Sequence, residues 1–225
     1  MFQFKQFIIN QDECAMKVGT DGVLLGAWAM GGSRVLDVGT GTGIIAIMMA
    51  QRYAEADILA IDIDEGSVHQ AKDNVAASPY VSRINVSQIM VQDMDASFAG
   101  LFDAVVCNPP FFIDACSFLA PDHQRTIARH AETLTYADLM KAARKLLNDT
   151  GELSVIVPFD YRHRMDDEAV FQGLFPSRVC AVRTTPQKPV RRYLLAYKKH
   201  PCRCEQTALV IGDEQYELLT RDFYL

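Results

Sequence analysis

The stretch "RVLDVGTGTGI" (34–44) constrains the fold more than any other. An apolar run with β-type residues ends in three alternate glycines, Gly39, Gly41 and Gly43, and a helical apolar pattern begins at Ile44. Strand, sharp turn, helix is the opening unit of a sheet that binds a ligand beyond its strand ends. The pattern continues: "DILAID" (57–62), "RINVSQ" (83–88), "FDAVVC" (102–107) and "ELSVIVP" (152–158) read as further strands. Helical patterns at 44–53, 66–77 and 136–147 separate them, the last with Gly151 just beyond its end. Alternation of this kind predicts an α/β fold, a mostly parallel sheet with helices on both faces. "SRVCAVRTT" and "RRYLLAYKK", joined by "PQKPV", read as a C-terminal antiparallel hairpin, and "TALVIG" as one more extended piece. A helix is expected at 22–30.

The glycine spacing is G-x-G-x-G. A dinucleotide fingerprint needs its third glycine where Ile44 stands. The carboxylate of Asp37 would repel a pyrophosphate but suit an ammonium group. Asp62 ends the second of these strands, 23 residues after Gly39, where an acid accepts from ribose hydroxyls. Asp93, after the third, is placed to accept from an adenine amine. Ribose, adenine and a cationic amino-acid end together describe S-adenosylmethionine.

"VVCNPPFF" (105–112) ends the fourth strand. Pro109 drives Asn108 out of the helical region, and neither Pro109 nor Pro110 carries an N–H. The turn is stiff and points acceptors outward: the Asn108 side-chain oxygen and the Pro109 carbonyl. Two acceptors fit a planar NH₂ group, whose lone pair they free from its ring. Phe111 offers a face on which the ring stacks. Cys107 precedes Asn108 with no proline directly after it, so it is not placed as the nucleophile of a pyrimidine-C5 methylating enzyme.

"VLDVGTGTG", "AIDID" and "NPPF" resemble the motifs of class I adenosylmethionine-dependent methyltransferases acting on exocyclic or amide nitrogens. With "FKQFIINQDECAMKVGTDGVLLGAW" near the start and "DFYL" at the end, the whole chain is similar to the bacterial tRNA-valine adenine-N6 methyltransferase family. The resemblance implies a Rossmann-like fold with a seven-stranded sheet and methyl transfer from S-adenosylmethionine to adenine N6 in tRNA. Guanine N2 in ribosomal RNA and a protein glutamine remain as alternative acceptors. It implies a methionine-end pocket at Asp37, Gly39, Gly41 and Gly43, a ribose acid at Asp62, an adenine contact at Asp93 and a catalytic tetrapeptide Asn108–Phe111. Residues 1–30 form an extension over the pocket, with Lys17 and Thr20 in "KVGTDG" against the cofactor. An equal reading makes Thr20 or Asp21 a helix cap. "ARH" (128–130) reads as a surface loop or a substrate passage.

Net charge is −6, unfavourable for a nucleic-acid partner, but its distribution matters more. Residues 177–204 hold eight basic side chains and no acidic ones. Arg183, Lys188, Arg191, Arg192, Lys198 and Lys199 are the candidate phosphate contacts; a solvated face explains the run equally well. Six scattered cysteines read as reduced thiols, and "HPCRC" (200–204) lacks the spacing of a zinc site, so no metal is expected. No signal peptide or membrane span is visible. The expectation is one domain over 1–225, a cytoplasmic monomer.

Overall fold

The computed structural model describes residues 1–12, 14, 17–110 and 134–225. Its centre is β3 (Arg34–Val38), buried from its second residue on because both faces of a central parallel strand are covered. β4 (Asp57–Asp62) and β5 (Ile84–Gln88) lie to one side, and β6 (Phe102–Cys107) and β7 (Leu147–Pro158) to the other. Beyond β7 come β9 (Arg192–Lys198), β8 (Phe175–Arg183) and β10 (Glu205–Val210). The order is β10-β8-β9-β7-β6-β3-β4-β5, and only β9 runs antiparallel. The sheet has eight strands where seven were expected. The eighth is β10, the "TALVIG" piece, which pairs in parallel with β8.

One face carries α1 (Thr20–Trp28), α2 (Ile44–Arg52), α3 (Glu65–Ala76) and the short α6 (Glu214–Thr220); the other carries α4 (Tyr136–Leu146) and α5 (Arg162–Phe171). Helix α4 passes directly into β7, so Gly151 is no helix cap. It lies where β7 crosses β6: a Cβ there would come within 2.8 Å of the Phe102 carbonyl oxygen.

Before α1, β1 (Phe2–Gln3) and β2 (Ile8–Ile9) form a small antiparallel pair. Its aromatics meet the far end of the chain: Phe4 stacks on Phe7 and on Tyr224, and the Lys5 amide donates to the Phe223 carbonyl at 2.9 Å. Phe4 and Phe223 are buried in the core formed with α1 and α2. The two terminal stretches are thus one structural piece.

Candidate active site

The parallel strands β3, β4 and β6 end on the same edge, with Val38 opposite Cys107 and opposite Ile61. Beyond them opens a cavity of about 720 Å³. Gly39, Gly41, Asp62, Asn108 and Pro110 all line it. The glycine turn and the N-P-P turn therefore share one cleft, as their placement on adjacent strands requires.

The turn itself depends on glycine. Gly39, Gly41 and Gly43 have φ of 69°, 54° and 80°, in the left-handed region that side chains disfavour. A Cβ added to Gly39 or Gly41 would meet nothing within 4 Å, so the space over these two is open for a ligand. Gly43 caps α2 and packs on Ala71 instead. Asp62 completes the floor. One of its oxygens accepts from the Gly41 amide at 2.9 Å and the other from the Asp64 amide at 3.1 Å. A carboxylate has about four acceptor sites, so capacity for two hydroxyls remains.

Asp37 is not where the sequence suggested. Alternation along β3 turns Val38 to the cavity and Asp37 beneath the turn, where it is fully buried. Its Oδ2 accepts from Thr40 Oγ1 at 2.6 Å and from the Ala46 amide at 3.2 Å. Among the described residues its Oδ1 has no hydrogen-bond partner. Burial pushes its carboxyl up to about 7, against the opposing pull of Thr40 and Ala46. Asp37 therefore holds the turn to α2 from beneath the cavity. Asp93 is also displaced. It ends a single 3₁₀ turn, Val91–Asp93, whose successive side chains point about 120° apart. Val91 and Gln92 line the cavity, and Asp93 opens into a separate depression with Gln88 and Met90.

Lys17, Thr20 and Asp21 line the cavity from the other side. The residue capping α1 is Gly19, with no side-chain cap bond, so neither Thr20 nor Asp21 acts as the cap. What holds the preceding segment is Asn74 of α3, which sequence reasoning did not single out. Its amide accepts from Asn10 N–H and donates to the carbonyls of Asn10 and Thr42, all within 2.9 Å. One buried side chain thus ties the N-terminal segment to the glycine turn.

The basic run divides. Arg192 opens β9 opposite Pro158, lines the cavity, and pairs with Asp21 at 2.8 Å. It is part of the pocket wall, not of an open phosphate-binding face. Lys188 and Arg191 are exposed at the same edge, with Arg183 half-buried beside them. Lys198 lies opposite Glu152, six residues along β9 and so about 20 Å away at the opposite edge, with Lys199 following it. The antiparallel direction of β9 separates them. Phe111 and residues 128–130 lie outside the described residues.

Cys107 is fully buried; burial first, then Asp37 and Asp62, push its thiol well up, which removes the thiolate a nucleophile needs. Among the described residues no group of His, Cys, Asp or Glu is arranged to hold a metal ion, and no helix is long and apolar enough to cross a membrane.

Residues 19–175 match the family model of the methyltransferase small domain. A tRNA1(Val) (adenine(37)-N6)-methyltransferase of Trichodesmium erythraeum is 43% identical over all of this chain and 97% of its own length. The protein so named in Bacteroides thetaiotaomicron is 42% identical with the same coverage. The chain belongs to this methyltransferase family. A predicted O-methyltransferase from Agrobacterium tumefaciens, 18% identical, shares the fold: TM-score 0.68 over 90% of this chain and 96% of that one. The cofactor of this methyltransferase is S-adenosylmethionine, and the open space over Gly39 and Gly41 beside the Asp62 carboxylate fits it.

Proposed function

We propose that this methyltransferase acts on the exocyclic N6 of an adenine next to the anticodon of a valine tRNA. The observation that carries the reading is that Asn108 and Pro110 open into the same cavity as Asp62 and the glycine turn. The acceptor nitrogen and the methyl donor are thereby held in one enclosure. The names of the relatives matched over the whole chain support adenine in tRNA over guanine or glutamine.

S-adenosylmethionine supplies a methyl group already activated by a cationic leaving group. The chain contributes position. Asp62 accepts from the ribose hydroxyls. Gln92 replaces Asp93 as the polar group beside the adenine, between the apolar walls Ile63 and Val91. The N-terminus of α2 and Lys17 favour the carboxylate of the methionine end. The Asn108 side-chain oxygen and the Pro109 carbonyl accept the two N–H groups of the target amine. That draws its lone pair out of the ring and aims it along the line of transfer. The methylated nitrogen is acidic and loses its proton without a strong base. The role expected of Phe111 is to stack on the target base, which leaves a single-stranded loop at low cost.

The test is methyl transfer from labelled S-adenosylmethionine to a valine tRNA transcript, beside one with guanine at position 37, the site named for the relatives. Label in the first alone is expected. Transfer to neither, or to both equally, removes the reading.

A further inference from the structure

Phe159 follows Pro158 at the end of β7 and is half exposed. Its ring stacks on Tyr193, centroids 5.9 Å apart and planes 26° from parallel. A single exposed aromatic is ordinary on a protein surface. Three observations set this one apart.

It stands at the edge that carries the active site. Val155 of β7 is level with Cys107 of β6, and Phe159 lies four residues further in the same direction, about 13 Å along the chain. The Phe159 amide donates to the Arg191 carbonyl at 3.1 Å, one residue from Arg192, which lines the cavity. The pair is also held rigid from the core outward. Arg162 lies over the Tyr193 ring, 4.5 Å from its centroid. Asp166 pairs with Arg162 at 3.4 Å and accepts from the hydroxyl of the fully buried Tyr197 at 2.7 Å. And the adjoining turn, bonded to Phe159 through the Arg191 carbonyl, carries exposed cations, Arg191 and Lys188, although the exposed Asp160 follows Phe159 directly. A rigid aromatic face with phosphate-seeking cations beside it is how proteins hold single-stranded nucleic acid.

We infer that the Phe159–Tyr193 stack is a shelf for the nucleobase neighbouring the target adenine, with Arg191 and Lys188 on the adjoining phosphates. The inference rests on the RNA reading above and adds a second, non-reacting base site to it. Holding the neighbour fixes the strand while the target base turns into the cavity. The ligand is a nucleobase of any type, since stacking uses the face common to all four.

The experiment is a coupling cycle. The probe is a hairpin RNA with the valine anticodon loop, either intact or with the nucleotide on the 5′ or the 3′ side of the target adenine made abasic. Affinity and methylation are measured for the wild type, Phe159→Ala and Phe159→Trp. Wild type is expected to lose about tenfold in affinity at one of the two abasic positions, within the range for one stacked base. Phe159→Ala should lose about tenfold on intact RNA and nothing further on that abasic RNA. Phe159→Trp should bind like wild type. Unchanged thermal unfolding and S-adenosylmethionine affinity verify that the variants are folded. Additive losses at both positions, or Phe159→Ala binding intact RNA normally, overturn the shelf while wild-type methylation leaves the RNA reading standing. A wild type that neither binds nor methylates the hairpin overturns both.

Discussion

Arg192 Nε donates to Asp21 Oδ2 at 2.8 Å, across 171 residues of sequence, joining the start of β9 to the first turn of α1. Both residues line the cavity, so the pair braces the segment at its wall. It is partly exposed, which limits its strength to about 1 kcal/mol. Arg192→Gln and Asp21→Asn should each weaken S-adenosylmethionine binding about two- to fivefold, with no added loss in the double variant. Calorimetry showing fully additive losses would mean that the two act separately.

Asp62→Ala removes the proposed acceptor for the ribose and unties the Gly41 and Asp64 amides. A charge-assisted hydrogen bond contributes about 1.5–3 kcal/mol, so cofactor affinity should fall about 10- to 150-fold. An unchanged dissociation constant would take Asp62 out of the cofactor site.

Asn108→Ala should act on turnover instead. Loss of one preorganised polar group costs roughly a hundredfold in rate at active sites. S-adenosylmethionine affinity should stay within about threefold of wild type. Near-normal turnover would defeat amine activation by Asn108.

Asp37 predicts a pH dependence of stability. Its carboxyl is raised from 3.8 to about 7 by burial. Between those values the folded protein holds a proton that the unfolded chain has released, so stability falls as pH rises through this window. The slope reaches about 1.4 kcal/mol per pH unit and levels off above pH 7. Urea unfolding of Asp37→Asn against wild type from pH 4.5 to 8 isolates this group. Parallel profiles would show that folded Asp37 is ionised throughout.

Only part of the basic run should track RNA. Lys188→Ala with Arg191→Ala should weaken RNA binding and reduce the salt slope by about 0.7–0.9 per contact. Lys198→Ala with Lys199→Ala, at the opposite edge, should leave both unchanged. A reversed result would move the RNA to the other side of the sheet.

The strands β3, β4, β6 and β7 were legible because strands covered on both faces show as apolar runs, punctuated by glycine and proline, and β5 because buried Ile84 and Val86 alternate with polar residues. Asp62, Gly39 and Asn108 were legible because strand ends fix position along the sheet. What lies around those ends was not. Strand alternation set Asp37 beneath the turn, and a 3₁₀ turn exchanged Asp93 for Gln92. No local pattern marks Arg192 as the partner of Asp21, since only the folded sheet brings them together. Helix α5 escaped notice because it buries only Met165 and Ala169 and so has little apolar periodicity. The strands β1 and β2 within the expected N-terminal extension were not legible because each is two residues long.

The union of the two terminal stretches bears on the order in which the molecule assembles. Lys5 Nζ donates to the Arg221 carbonyl, 216 residues apart in sequence. Contacts of such separation carry the largest loop-closure cost and slow folding. The strand pairings of the central sheet join nearer neighbours. Residues 1–12, tied to α3 through Asn74 and to the far end through Phe223, are therefore expected to dock late. Residues 1–12 do not themselves line the cavity, so the union of the termini reaches it through Asn74, which joins Asn10 to the Thr42 carbonyl of the glycine turn.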